Sequence, residues 1–257
     1  MTVAPTDNPA LAGPSAKNIP LRDRLIFALD VQSTEEAKRC VEQLGDAVRF
    51  YKLGLQLFMA GGYYELINWL RERGKKVFVD LKFFDVPETV HLAVAQLKGR
   101  GVSFATVHGN DEILRAAVAG KNDVEILAVT VLTSLDNHDL HDLGFACDAK
   151  SLVLSRAKRA VQIGCAGVIS SGLEVEELRK THGDKFMVIC PGIRPVLNRP
   201  TDDQKRVVTV TEAFLKGADY IVVGRPIRNA ANPREKAEEI QTEIARVFCP
   251  PFDKKTA

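Results

Sequence analysis

Short apolar, β-branched runs recur along the chain, and longer stretches with helical period separate them. Strands are predicted at "RLIFALD" (24–30), "FYKLGL" (50–55), "KVFVDLK" (76–82), "FATVHG" (104–109), "EILAVTVL" (125–132), "GVISS" (167–171), "FMVICPG" (186–192) and "YIVVG" (220–224). The stretches between them carry helix signals. Ser33 and Thr34 precede "EEAKRCVEQLG", which Gly45 closes; "LQLFMAGGYYELINWLRERG" reads as one helix ended by Gly74; Pro87 opens "PETVHLAVAQLKGRG". Strand then helix, eight times, predicts an α/β fold, a (β/α)8 TIM barrel, as a single domain over residues 23–257. A doubly wound open sheet is the structural rival. It lacks its expected Gly-x-Gly-x-x-Gly turn, because the first strand runs into "DVQST". Residues 1–22, opening "MTVAPTDNPALAGPSAKNIP", read as a loosely ordered Pro/Ala-rich tail to which no role is assigned.

Composition agrees with one large core: 257 residues at 46% hydrophobic content suffice for it. The 35 basic and 33 acidic side chains leave a formal charge of +2, which gives no electrostatic case for nucleic acid or an acidic membrane as partner. No apolar run has the length of a membrane span, and the first residues lack the pattern of a signal peptide. The five cysteines, Cys40, Cys147, Cys165, Cys190 and Cys249, are scattered without zinc or disulfide spacing, so reduced thiols in a cytoplasmic protein are expected.

Charge along the strands changes this picture. In "FVDLKFFDVPET" Asp80 and Lys82 stand two apart at the end of the third predicted strand, so both side chains should enter the same mouth. Asp85 follows, beside Pro87 and a helix start, where an aspartate also reads as a cap. Asp30 ends the first predicted strand and Lys52 lies in the second, so five charges of alternating sign are expected at one rim. Burying charges costs several kcal/mol per ion, so such a set points to function rather than stability. A Schiff base needs a neutral amine, whereas flanking carboxylates favour an ammonium; Lys82 therefore reads as a proton donor. An acid beside it could repel a substrate carboxylate while the ammonium meets the carbanion left when carbon dioxide departs. That chemistry is decarboxylation without a cofactor.

Other loops suggest what the substrate carries. In "VGRPIR" Gly224 permits close backbone approach and Arg225 offers a fork of donors, after the eighth strand, where such barrels often hold phosphate. The long polar loop "PGIRPVLNRPTDDQKR", with Arg194 and Gln204, reads as a cover over the site, mobile across 193–206. Thr133 and Ser134 in "LTS" could read the edge of a heterocycle or belong to an ordinary loop. His138 and His141, among Asp136, Asp139 and Asp142, match no metal motif and read as a solvated loop; His108 at the fourth strand end is given no catalytic role, and "FMAGGYY" reads as packing.

"DLKFFDVPET", taken with "FALD", "YKLG", "VTVLTS", "PGIRP" and "GRPI" in that order, resembles the orotidine 5'-monophosphate decarboxylase family across residues 23 to 240. The resemblance implies conversion of orotidine 5'-monophosphate to uridine 5'-monophosphate, the last step of de novo pyrimidine biosynthesis, with no cofactor and no metal. It implies that Asp80 stresses the substrate carboxylate and that Lys82 protonates C6. Asp30, Lys52, and Asp85 with Thr89 would hold ribose hydroxyls and complete the charge network, the last pair reaching across a homodimer into the neighbouring site. Thr133 would meet the pyrimidine; Arg194, Gln204, Gly224 and Arg225 would hold the phosphate. Val86 stands where family members often have isoleucine, an apolar exchange. Relatives that act on sugar phosphates with magnesium place an acid where this chain has Lys52, whose ammonium would repel the metal. A phosphate-binding regulator on a decayed barrel is the remaining alternative, and the intact Asp80, Lys82 and Asp85 set speaks against it.

Overall fold

The computed structural model describes residues 13–194 and 206–250. Eight parallel strands close into a barrel in sequence order. They are β1 (Leu25–Ala28), β2 (Phe50–Gly54), β3 (Lys76–Phe83), β4 (Val102–Val107), β5 (Glu125–Val129), β6 (Gly167–Ile169), β7 (Met187–Cys190) and β8 (Tyr220–Val223). The ring shuts where Leu25 of β1 pairs with Ile221 of β8. Every predicted strand is present, though β4 begins earlier than expected, β5 ends earlier, and β1 stops at Ala28, so that Asp30, expected to end the first strand, lies in the loop after it; Thr133 follows β5 in a loop, as expected.

Alternation along each strand divides two cores. One side of the strands packs against the helices, with Leu25, Phe27, Tyr51, Leu53, Val77, Val79 and Ala105 fully buried or nearly so. The other fills the barrel, where Phe50, Phe78, Phe104 and Tyr220 form one ring-to-ring cluster with centroids 5.2–6.0 Å apart. This aromatic layer is the floor on which the site stands.

The helices follow their sequence signals with one correction. Helix Thr34–Leu44 starts where the Ser33 hydroxyl accepts from Glu36 N–H at 3.2 Å and stops at Gly45. Helix Pro87–Ala95 has Pro87 in its first turn, where the missing N–H costs nothing. The single helix expected over 55–74 is instead two, Leu55–Ala60 and Tyr63–Glu72. Gly61 and Gly62 between them lie at φ 83° and 67°, in the left-handed region, which a right-handed helix cannot pass through.

Of the expected tail, residues 1–12 lie outside the described residues. Residues 15–19 are seated against the N-terminal end of the barrel. Ser15 and Lys17 both bond Asp219, and Ile19 packs on the interior core.

Candidate active site

Three strands carry the same inward step from floor to site. In β2, β3 and β4 an aromatic residue faces inward and a polar one follows two positions later: Phe50 then Lys52, Phe78 then Asp80, Phe104 then Thr106. Strand pleating places these polar groups in one layer above the rings. Asp30, in the loop after β1, completes a row of alternating charge. Lys52 Nζ lies 3.1 Å from Asp30 Oδ1 and 3.4 Å from Asp80 Oδ2, and Lys82 Nζ lies 2.9 Å from Asp80 Oδ1. Gly54 makes room for the row, since a Cβ there would stand 3.1 Å from Asp30 Oδ1 and 3.3 Å from Lys52 Nζ.

The row holds its own charges. Burial lowers the Lys52 pKa, but Asp80 and then Asp30 more than offset this, and Lys52 stays above its ordinary value. Burial likewise raises Asp80, yet Lys52 and then Lys82, with hydrogen bonds from Lys82 and Thr106, leave it below the usual carboxylate range. Asp80 is thus a fixed anion, with partners on both oxygens.

A cavity of about 690 Å³ opens directly above, a size suited to a nucleotide-sized ligand. Asp30, Lys52, Asp80 and Lys82 line it, and so do Thr133, Ser134, Arg194, Gly224 and Arg225. Lys82 presents 35% of its side chain to this space, whereas Lys52 presents 11%. Gly224 also has a packing reason, because a Cβ at that position would meet Ala28 Cβ at 3.2 Å. Gln204 and most of the 193–206 loop lie outside the described residues.

Asp85 and Thr89 are not brought to this cavity within one chain. Both are exposed, and Asp85 accepts from the Val86 N–H while forming no ion pair with Lys82. The single chain therefore gathers four of the five expected charges. Phe84, Val86 and Leu92 around them are 68%, 63% and 54% exposed, an apolar surface beside two polar ones.

Three groups near the site had escaped sequence reasoning. Thr106 is fully buried, donates to Asp80 Oδ1 at 2.8 Å and accepts from the Lys82 N–H at 3.0 Å. Its only local signal was the aromatic-x-polar step shared with the two neighbouring strands. Arg206 pairs with Glu174 at 2.7 Å and donates to the carbonyls of Val131 and Leu132, just before Thr133. Burial lifts Glu174 above the usual carboxylate range although Arg206 pulls it down. Arg228 lines the cavity and donates to the Asp30 carbonyl.

The minor candidates resolve simply. His138 and His141 fall on a short helix, Asn137–Asp142, and His138 contacts the exposed Asp142. Among the described residues no three His, Cys, Asp or Glu side chains are grouped to hold a metal ion. His108 lies in a separate hollow with Phe84 and Arg156.

The chain matches known proteins along most of its length. Residues 23–240 match the model of the orotidine 5'-phosphate decarboxylase / HUMPS family. The chain is 64% identical over 234 residues to the orotidine 5'-phosphate decarboxylase of Methylococcus capsulatus, covering 91% of this chain and 97% of that one. It is 48% identical over 231 residues to the enzyme of the same name from Nitrobacter winogradskyi, covering 89% and 95%. The crystal structure of orotidine 5'-phosphate decarboxylase from Lactobacillus acidophilus superimposes with a TM-score of 0.76 at 35% identity, over 86% of this chain and 99% of that one.

Proposed function

Because the chain belongs to the orotidine 5'-phosphate decarboxylase / HUMPS family, we propose that it removes carbon dioxide from orotidine 5'-monophosphate and yields uridine 5'-monophosphate, a step of pyrimidine biosynthesis. The observation that carries this reading is the row Asp30, Lys52, Asp80 and Lys82, its middle pair buried, at the wall of a nucleotide-sized cavity. It also separates the two activities that the family name joins: Lys52 fills the space between Asp30 and Asp80 with an ammonium, where a magnesium-dependent sugar-phosphate enzyme needs an acid.

In this reading the substrate carboxylate lies against Asp80. Two anions held against each other repel, and the repulsion ends when the bond from C6 to the carboxyl carbon breaks. The electron pair stays on C6, carbon dioxide leaves, and a proton passes from Lys82 Nζ to C6. Lys82 then regains a proton from water. Asp80 suits its part because Lys52, Lys82 and Thr106 hold it ionised and fixed. Thr133 meets the pyrimidine, Asp30 and Lys52 the ribose, and Arg194, Gln204, Gly224 and Arg225 the phosphate.

The active unit in this reading is a homodimer, with Asp85 and Thr89 entering the neighbouring site. Their exposure in the single chain, within the apolar surface of Phe84, Val86 and Leu92, supports it. Among the described residues no helix is long and apolar enough to cross a membrane. Five unpaired cysteines favour a reducing compartment, and we place the protein in the cytoplasm. The test is the loss of substrate absorbance when purified protein meets orotidine 5'-monophosphate; no turnover at high protein concentration would end this reading. Mixing inactive Asp85→Ala with inactive Lys82→Ala subunits tests the shared site. Exchange creates some dimers with one intact site, so activity should return, and heterodimers without recovery would confine the site to one chain.

A further inference from the structure

We propose that Thr106 is a positioning residue for the decarboxylation, a single hydroxyl that fixes both the backbone of the proton donor Lys82 and the ionised state of Asp80. The inference rests on the decarboxylase reading above and extends it to a residue on a different strand.

The need for such a residue lies in the ladder between β3 and β4. Val79 pairs with Ala105, and the next pair is Phe83 with Val107, so four steps along β3 are matched by two along β4. The excess residues form a bulge that carries Asp80 and Lys82. Lys82 takes φ 49°, and it shares the left-handed region with Asn122 among the described non-glycine residues. Such a backbone is unfavourable for a side chain with a Cβ and persists where its surroundings hold it. The bulge removes the ladder acceptor from the Lys82 N–H, and Thr106 Oγ1 supplies another at 3.0 Å. The ladder resumes at once, with the His108 N–H donating to the Phe83 carbonyl at 3.0 Å.

Direction follows from the chemistry of a hydroxyl. The Lys82 N–H can only donate, so Oγ1 accepts there and turns its one proton elsewhere. That proton points at Asp80 Oδ1, 2.8 Å away, the same oxygen that accepts from Lys82 Nζ at 2.9 Å. An oxygen receiving two donors has no place for a proton of its own. Thr106 thus ties the two ends of the Lys82 residue, its backbone and its ammonium, to one carboxylate oxygen. The other groups facing Asp80 are Lys52 from β2, with Asp30 behind it, and Tyr63, whose phenol is committed to the Leu53 carbonyl at 2.9 Å. None of these reaches the Lys82 backbone.

Thr106→Val keeps the branched shape of the side chain and removes the hydroxyl; Thr106→Ser keeps the hydroxyl. Valine should lower kcat by about tenfold to a hundredfold, the usual effect of losing a hydrogen bond to a charged group. Affinity for uridine 5'-monophosphate should hold, and the acid limb of the pH–rate profile should move to higher pH, because Asp80 loses a donor to its ionised form. Serine should restore both. Valine at the wild-type rate with an unmoved acid limb would overturn the proposal, and so would a loss shared equally by catalysis, product binding and stability. If the valine variant does not fold, Thr106→Cys replaces it, and serine and cysteine behaving alike would be the overturning result. Carbon-13 titration of Asp80 in ligand-free protein reads the same shift without substrate. An inactive wild-type protein would therefore end the decarboxylase reading while the titration still decides on Thr106.

Discussion

The barrel buries an aspartate at each end, and each sits between two cations, yet the two ends do opposite things. At the N-terminal end Asp219 is fully buried between Lys17 at 3.2 Å and Arg179 at 2.7 Å, with Ser15 and the Val188 N–H as further donors. At the C-terminal end Asp80 lies between Lys52 and Lys82 with Thr106 beneath. The cations differ in how they are shared. Lys17 meets one carboxylate that also serves Arg179; burial outweighs that attraction and Lys17 is held below its ordinary pKa. Lys52 meets two carboxylates and is held above its own. The ends also differ in access: the tail covers Asp219, whereas Lys82 opens onto the cavity. Buried charge by itself therefore marks no active site. What sets the C-terminal end apart is a buried carboxylate beside a cation that still reaches an open cavity.

The largest expected effect breaks the open end. Lys82→Ala should reduce kcat/KM by far more than the roughly 10² to 10⁴ that one general acid contributes, since it also takes from Asp80 one of its two cations and leaves more of its charge uncompensated beside an anionic substrate. Affinity for uridine 5'-monophosphate should fall much less, and the urea midpoint should move little, because Lys82 is partly exposed. A variant retaining activity within tenfold would remove Lys82 from the reaction.

The mirror experiment acts on the closed end. Asp219→Asn leaves Lys17 and Arg179 facing a neutral group, and breaking a buried ion pair typically costs about 3–5 kcal/mol. Urea unfolding should show that loss while folded protein keeps its kcat and KM. A collapse of kcat in a well-folded Asp219→Asn protein would erase the distinction between the ends.

Half of this distinction was read from the chain. Asp80 follows the apolar run of its strand, so in a parallel barrel it belongs at the C-terminal mouth; Asp219 precedes its own run and by the same rule belongs at the opposite end, a signal left unused. The eight strands were legible because buried parallel strands are continuous apolar runs. The grip of Ser15 and Lys17 on Asp219 was not, because about two hundred positions separate the partners and no local pattern links them. Arg206 and Glu174 are only 32 positions apart, yet no local pattern links them either. Thr106 was hidden differently: a threonine inside a strand reads as a β-former, and the bulge that demands its hydroxyl appears only when β3 and β4 are paired. Gly61 and Gly62 were visible, and apolar spacing on both sides masked the break they make.

A smaller effect tests how far the open end extends. Arg225 is exposed and lines the cavity, where it is proposed to hold phosphate. Arg225→Ala should lower kcat/KM by about tenfold to a hundredfold, the scale of one charge-assisted hydrogen bond, with stability unchanged. The loss should shrink when the substrate lacks its phosphate, since the missing partner then cannot be felt twice. A loss that is the same with and without phosphate would move Arg225 out of that role.

The smallest expected effect is none at all, and it applies to both ends. A divalent cation needs carboxylate oxygens with free lone pairs and no competing cation beside them. Asp80 spends Oδ1 on Lys82 and Thr106 and faces Lys52 with Oδ2, while Asp30 Oδ1 is also on Lys52. Asp219 is likewise surrounded by Ser15, Lys17, Arg179 and the Val188 N–H. A metal ion entering either end would have to displace an ammonium or a guanidinium that is already desolvated, and it would gain no site with three grouped ligands among the described residues. Exhaustive chelation should therefore change neither the rate nor the thermal midpoint, and added magnesium should restore nothing. Activity that vanishes with chelator and returns with magnesium would show that the cations at the open end are not the ones this chain provides.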